Sequence, residues 1–272
     1  MPEMNKSLTG ISEYKTPSNL RSKPFPSVYY YLLHLLRIVY YSNRQAKSNI
    51  YDDERWVDSS IDILKSLEKT GVKFHVTGLD NLTKMNGPFV FVSNHMSILE
   101  TFVLPGFIHP VTKVVFVMKE ELLTFPLFGP VSGARDPIVV GRTNPREDLM
   151  SVLNQGSERI KNGKGVIIFP QRTRTKFFEP ALFNSLGIKL AKRNNVPVIP
   201  IAVLSDAWGT GKLLKDFGKI DTSKEVKISF GEPILITGNG GEEHQKTIDF
   251  IASKFIEWGR SDLIKNEPRL QV

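Results

Sequence analysis

From Lys73 onward, short apolar runs alternate with longer amphipathic stretches, and this alternation restricts the possible folds more than any other feature of the chain. The runs 74–76, 89–92, 114–118, 138–140, 166–169 and 198–203 read as strands. Helices are expected from Ser97 and over 145–161 and 184–193. A late strand at 226–230 and a closing helix at 242–258 complete the series. Strands separated by helices pack as a largely parallel sheet with helices on both faces. The expected class is therefore α/β, a largely parallel mixed sheet flanked by helices and preceded by an N-terminal two-helix segment. In such sheets, ligand sites lie beyond the carboxyl ends of the strands.

Residues 1–26 are polar and rich in Pro, Ser and Lys, and are expected to form a loose tail with no secretory signal. Residues 28–41 read VYYYLLHLLRIVYY, interrupted only by His34 and Arg37. That run is too short to span a bilayer, which takes about 20 residues, so it is either a core helix or one lying in a membrane interface. Its tyrosines suit a headgroup boundary, and Lys15, Arg21, Lys23, Arg37, Arg44 and Lys47 would be drawn to anionic lipid. Residues 53–70 form a second amphipathic helix, with Val57, Ile61, Leu64 and Leu67 on one stripe and Gly71 as its C-cap. The expected organisation is a tail at 1–26, a membrane-associating helical hairpin at 27–72 and an α/β domain at 73–272.

Composition narrows the chemistry. There are no cysteines, which excludes disulfides, thiolate metal sites and a cysteine nucleophile. His34, His75, His95, His109 and His244 are scattered with no H-E-x-x-H pair, so no metal site is expected. A net charge of +8 favours anionic partners such as phosphorylated lipids or an anionic membrane surface. No dense Lys/Arg tract or nucleic-acid signature accompanies it, and no nucleic-acid partner is expected.

Two strand ends carry reactive groups. After the 89–92 run comes Asn94-His95-Met96-Ser97-Ile98-Leu99-Glu100. On one continuous helix His95 and Glu100 would stand about 140° apart, so a dyad requires the chain to bend between them. With that bend, Glu100 accepts Nδ1–H of His95 and leaves Nε2 to take a proton. Ser97-x-x-Glu100 before an apolar run also fits a capping box, in which the carboxylate only satisfies the backbone. Both readings stand at this level. The second cluster, Phe169-Pro170-Gln171-Arg172-Thr173-Arg174-Thr175, has guanidinium groups and hydroxyls suited to a phosphate, and also fits a solvated turn. Arg142 closes a third strand.

These segments resemble the acylglycerol-phosphate acyltransferase family, the lysophosphatidate acyltransferases of phospholipid synthesis. Residues 95–100 are similar to its His-x-x-x-x-Asp motif and 169–175 to its Phe-Pro-Glu-Gly-Thr-Arg-Ser motif. Val196-Pro197-Val198-Ile199-Pro200 is similar to its closing Val-Pro block. Residues 119–123, 126–129 and 230–234 resemble connecting segments, so the likeness runs over 72–234. The resemblance implies acyl transfer from acyl-CoA or acyl-carrier protein to a hydroxyl of a lysophospholipid, lysophosphatidate above all, at the cytoplasmic face of a membrane and with no cofactor. It implies His95 as base and Glu100 as its orienting partner. Arg174, Thr173, Arg142, Arg172 and Lys119 would bind the acceptor phosphate, with Asn94, Ser97 and Gln171 in support.

The chain departs from the family pattern in three places. Glu100 stands for the usual Asp, Gln171-Arg172 for Glu-Gly, and the segment ending at Arg142 is longer than the family's second motif. The Gln171-Arg172 change leaves open another lysolipid headgroup, or a non-catalytic lipid-binding protein on the same scaffold. An acylated Ser97 is a further enzyme reading, disfavoured by the absence of a G-x-S-x-G elbow.

Overall fold

The computed structural model describes residues 10–20, 27–171, 173–209, 211 and 218–265, with the side chains of 27–30 not described. The strands are β1 (Glu13–Lys15), β2 (Lys73–Thr77), β3 (Val90–Ser93), β4 (Val114–Lys119), β5 (Ile138–Val140), β6 (Gly165–Ile168), β7 (Val198–Leu204) and β8 (Glu225–Phe230). The helices are α1 (Ser27–Lys47), α2 (Asp53–Thr70), α3 (Leu99–Ile108), α4 (Phe128–Gly133), α5 (Pro145–Lys161), α6 (Leu186–Asn194) and α7 (Gly241–Glu257).

One eight-stranded sheet runs in the order β1-β2-β8-β7-β3-β6-β4-β5. All pairings are parallel except β1 with β2 and β7 with β8. Strands β3 to β7 therefore point the same way, and their carboxyl ends share one edge of the sheet. The central strands β3, β6 and β7 are buried at every position and, but for Ser93, apolar, because both faces are covered. Phe89, Phe91, Ile167, Ile199 and Ile201 enter the core under α1, α2 and α3. The alternate residues Val90, Val92, Val166, Ile168 and Val198 enter the core under α5, α6 and α7. Helix α6 lies so close to β3 that a Cβ on Gly187 would stand 2.4 Å from Val92 Cγ2.

Helices α1 and α2 pack on one another. Asp52 accepts the Arg55 N–H to cap α2, and Gly71, with φ of 104°, ends it in the left-handed conformation. Helix α1 buries one side of its apolar run and exposes the other. Tyr31, Leu35, Val39 and Ala46 are buried, while Leu33, Leu36 and Tyr40 on the other side are 69%, 55% and 49% exposed. No helix among the described residues is long and apolar enough to cross a membrane.

Three local expectations need correction. The stretch expected as a loose tail contains β1, held by Tyr14 Oη and Thr16 Oγ1 donating to the buried Glu68 carboxylate at 2.8 and 2.6 Å. The rest of it, 1–9 and 21–26, lies outside the described residues and includes Arg21 and Lys23. Helix α1 continues to Lys47, and α3 begins at Leu99 rather than Ser97, because the Glu100 side chain occupies the N–H groups that would open an earlier turn.

Candidate active site

Strand β3 ends with a side chain acting as backbone. Asn94 Nδ2 donates to the Val203 carbonyl at 2.8 Å, and its Oδ1 accepts the Val203 N–H at 2.8 Å. This amide extends the β3–β7 pairing by one step and lets the main chain turn away at His95. The turn is then stitched to the loop after β6. His95 N–H donates to Gln171 Oε1 at 2.7 Å, and Thr175 N–H donates to the His95 carbonyl at 3.0 Å. Gln171 is buried and donates in turn to the Phe177 carbonyl at 3.3 Å.

The imidazole stacks on Phe169, with centroids 4.1 Å apart and planes at 14°, and Phe169 stacks on Phe116. Nδ1 lies 3.0 Å from Glu100 Oε1. The Glu100 side chain is 0% exposed, whereas 16% of the His95 side chain reaches the surface. Oε1 also accepts the Met96 and Ser97 N–H groups at 2.6 and 2.9 Å. Oε2 lies 2.9 Å from Ser97 Oγ and 2.7 Å from Ser205 Oγ. Burial alone would raise the Glu100 pKa, but the hydrogen bond and charge of His95, with the Ser97 N–H and Ser205 hydroxyl, hold it below the usual carboxylate value. An ionised carboxylate only accepts, so this contact requires a ring proton on Nδ1, and in the neutral imidazole Nε2 is then the acceptor.

The Ser97 N–H contact of a capping box and the dyad contact coexist on one oxygen of Glu100, although α3 itself begins at Leu99 with no side-chain cap. The structure thus brings His95, Glu100, Asn94, Ser97 and Gln171 into one bonded cluster. Thr173 is exposed and Arg174 half-buried in the loop tied to His95 through Thr175. Lys119 ends β4 and pairs with Glu121 at 2.9 Å. Arg142 follows β5 with φ of 60°, and its N–H donates to Asp148 at 3.1 Å. These two strands lie two and three places from β3 in the sheet, about 10 and 14 Å at about 4.8 Å per strand. Arg172 lies outside the described residues.

The motif pattern missed two members. Ser205, wholly buried, reaches Glu100 from the end of β7, 105 positions away. Phe169 was visible as the start of a loop motif but not as a plate under the imidazole. The signal for Ser205 was its position: it follows the last residue of β7, at the same edge as His95.

Residues 73–204 match the family model described as Acyltransferase. A 1-acyl-sn-glycerol-3-phosphate acyltransferase of Pseudomonas aeruginosa is 38% identical over 132 residues, 48% of this chain and 49% of that protein. A chloroplastic 1-acyl-sn-glycerol-3-phosphate acyltransferase of Arabidopsis thaliana is 26% identical over 200 residues, 74% of this chain and 48% of the relative. The chain thus spans about half the length of the curated relatives it matches. The crystal structure of the 1-acyl-sn-glycerophosphate acyltransferase PlsC from Thermotoga maritima superposes with a TM-score of 0.61 at 21% identity, covering 86% of this chain and 94% of that one. That likeness shows a shared fold.

Proposed function

We propose that the chain, whose residues 73–204 match the family model described as Acyltransferase, is an acyltransferase of the acylglycerol-phosphate type: it transfers a fatty acyl group from acyl-CoA or acyl-carrier protein to the free hydroxyl of a 1-acyl-glycerol-3-phosphate, giving phosphatidate. The observation that carries this reading is the 3.0 Å contact between Nδ1 of a partly exposed His95 and a fully buried, ionised Glu100.

In the proposed reaction Nε2 takes the proton of the acceptor hydroxyl as its oxygen attacks the thioester carbon. Glu100 fixes the tautomer and stabilises the imidazolium that forms. Collapse of the tetrahedral intermediate breaks the carbon–sulfur bond. The thiolate leaves with the proton from Nε2, and the base is regenerated. Arg174 and Thr173, on the loop bonded to His95, are assigned the acceptor phosphate, with Arg142 and Lys119 at the same edge of the sheet; Arg172, outside the described residues, is assigned there by its place in the motif alone. Ser97 is not assigned as nucleophile, since it is buried with its hydroxyl against Glu100 and Ser205.

Residues 27–72 are assigned as the hairpin that holds the α/β domain, 73–272, on an anionic membrane surface. The enzyme would act as a peripheral or monotopic protein of the cytoplasmic face. Leu33, Leu36 and Tyr40, exposed on α1, support this placement.

The test is to incubate purified protein with a panel of lysolipids and both donor types and to identify products by mass. Phosphatidate is expected from wild type and none from His95→Ala. Transfer undiminished in His95→Ala removes the mechanism, and vesicle binding with no turnover of any lysolipid replaces it with lipid binding alone.

A further inference from the structure

We propose that Ser205 is a positioning residue for this reaction, holding Glu100 in the ionised, oriented state that His95 requires. The inference rests on the acyl-transfer reading above and extends it to a residue outside the recognised motifs.

The argument is a proton inventory. Oε1 of Glu100 has three donors: His95 Nδ1–H, Met96 N–H and Ser97 N–H. Among the described residues Oε2 has only the hydroxyls of Ser97 and Ser205, which also lie 2.9 Å from each other. Each hydroxyl has one proton to give. The Leu99 N–H donates to Ser97 Oγ at 3.2 Å, which leaves that hydroxyl's proton free to turn to the carboxylate. When both serines donate to Oε2, the carboxylate has five donors and no reason to hold a proton of its own. Without Ser205, Oε2 keeps one donor in a site sealed from water, which favours the protonated carboxyl group and leaves the orientation of the side chain less fixed.

The position of Ser205 is built rather than incidental. It is wholly buried, so it touches no substrate, and it is braced by the residue that follows it. Asp206 Oδ2 accepts from Lys224 Nζ and Arg260 Nη1, both at 3.0 Å, tying the end of β7 to the segments before β8 and after α7. Asn94 locks Val203 of the same strand to the residue preceding the base. Both partners of the Ser205–Glu100 contact are thus fixed to the sheet that carries His95.

Two variants separate donation from packing. Ser205→Ala removes the hydroxyl, and Ser205→Cys fills the space with a weak donor. Both are expected to lower kcat about tenfold with KM for lysolipid and donor unchanged, as for the loss of one charge-assisted hydrogen bond that keeps the partner of the base ionised and oriented but touches no substrate. In protein labelled with 15N-histidine, the His95 Nδ1–H proton resonance is expected to shift in both variants. That readout needs no turnover, so it judges Ser205 even if the wild type acylates none of the lysolipids offered, an outcome that would sink the proposed function separately. A Cys variant with wild-type kcat would mean that volume alone matters, and an unmoved Nδ1–H resonance would mean that Ser205 does not act on the dyad; either result overturns the proposal.

Discussion

Replacing Glu100 by Gln asks how much of the proposed chemistry depends on its charge. The amide can be placed only one way round. Its nitrogen cannot face the three donors at the Oε1 position, so it must take the Oε2 position, where the Ser97 and Ser205 hydroxyls can rotate and accept. The carbonyl then still receives His95 Nδ1–H and the Met96 and Ser97 N–H groups, and the fold is expected to survive, with stability changed by no more than about 2 kcal/mol as weaker hydrogen bonds trade against a buried charge. Catalysis is different. With Nδ1 and Oε1 3.0 Å apart, the imidazolium and carboxylate charges centre about 4 Å apart, which at an effective dielectric of about 20 is worth about 4 kcal/mol. That converts to a fall in kcat of roughly a thousandfold, with KM little changed. The assay is initial-rate acyl transfer at saturating lysolipid, alongside circular dichroism and thermal unfolding of the same sample. A folded Glu100→Gln protein retaining more than half the wild-type kcat would refute the claim that the carboxylate charge drives the base.

Other outcomes follow from named contacts. The folded pKa of Glu100 lies below its unfolded value, so this group adds stability above the unfolded value of about 4.3 that is lost as pH falls through the folded one. Glu100→Gln should therefore flatten the acid side of the Tm-against-pH curve, and an unchanged acid limb contradicts this. Glu68 behaves oppositely, since burial raises its pKa more than Thr16, Tyr14 and Lys65 lower it. Its contribution is full below the unfolded value and lost as pH rises through the folded one. Glu68→Gln should thus gain Tm relative to wild type at pH 8 and lose that gain towards pH 4, and a gain that grows on acidification would sink this reading. Gln171→Ala leaves the His95 N–H without its acceptor, at about 1–3 kcal/mol in chemical denaturation; a stability loss under a few tenths would mean water replaces the amide. Changing Leu33, Leu36 and Tyr40 together to Ser should leave Tm within a degree or two while lowering co-sedimentation with anionic vesicles at least tenfold, and unchanged sedimentation would move the membrane contact elsewhere.

The sheet was legible because β3, β6 and β7 are buried on both faces, so their sequences are unbroken apolar runs bounded by polar loops. The His95–Glu100 pair was legible because both members lie within one short segment and only one bend brings them together. Strand β1 was not, being three residues long and held by Glu68, more than fifty positions away. Ser205 was not, because an isolated serine has no periodicity and its meaning comes from the β3–β7 pairing. The choice between cap and dyad was not a choice at all: local pattern treats an acceptor oxygen as belonging to one donor, whereas a carboxylate oxygen takes several.

Asn94 uses both ends of its amide on Val203, so it tolerates neither an acid, which lacks the donor, nor a leucine of similar bulk, which lacks both. Its imitation of a peptide group means that the base hangs from the rigid sheet like a bracket from a beam rather than from a mobile loop. The loop after β6, bonded to the His95 main chain at its N–H and its carbonyl, is thereby hung from the same beam.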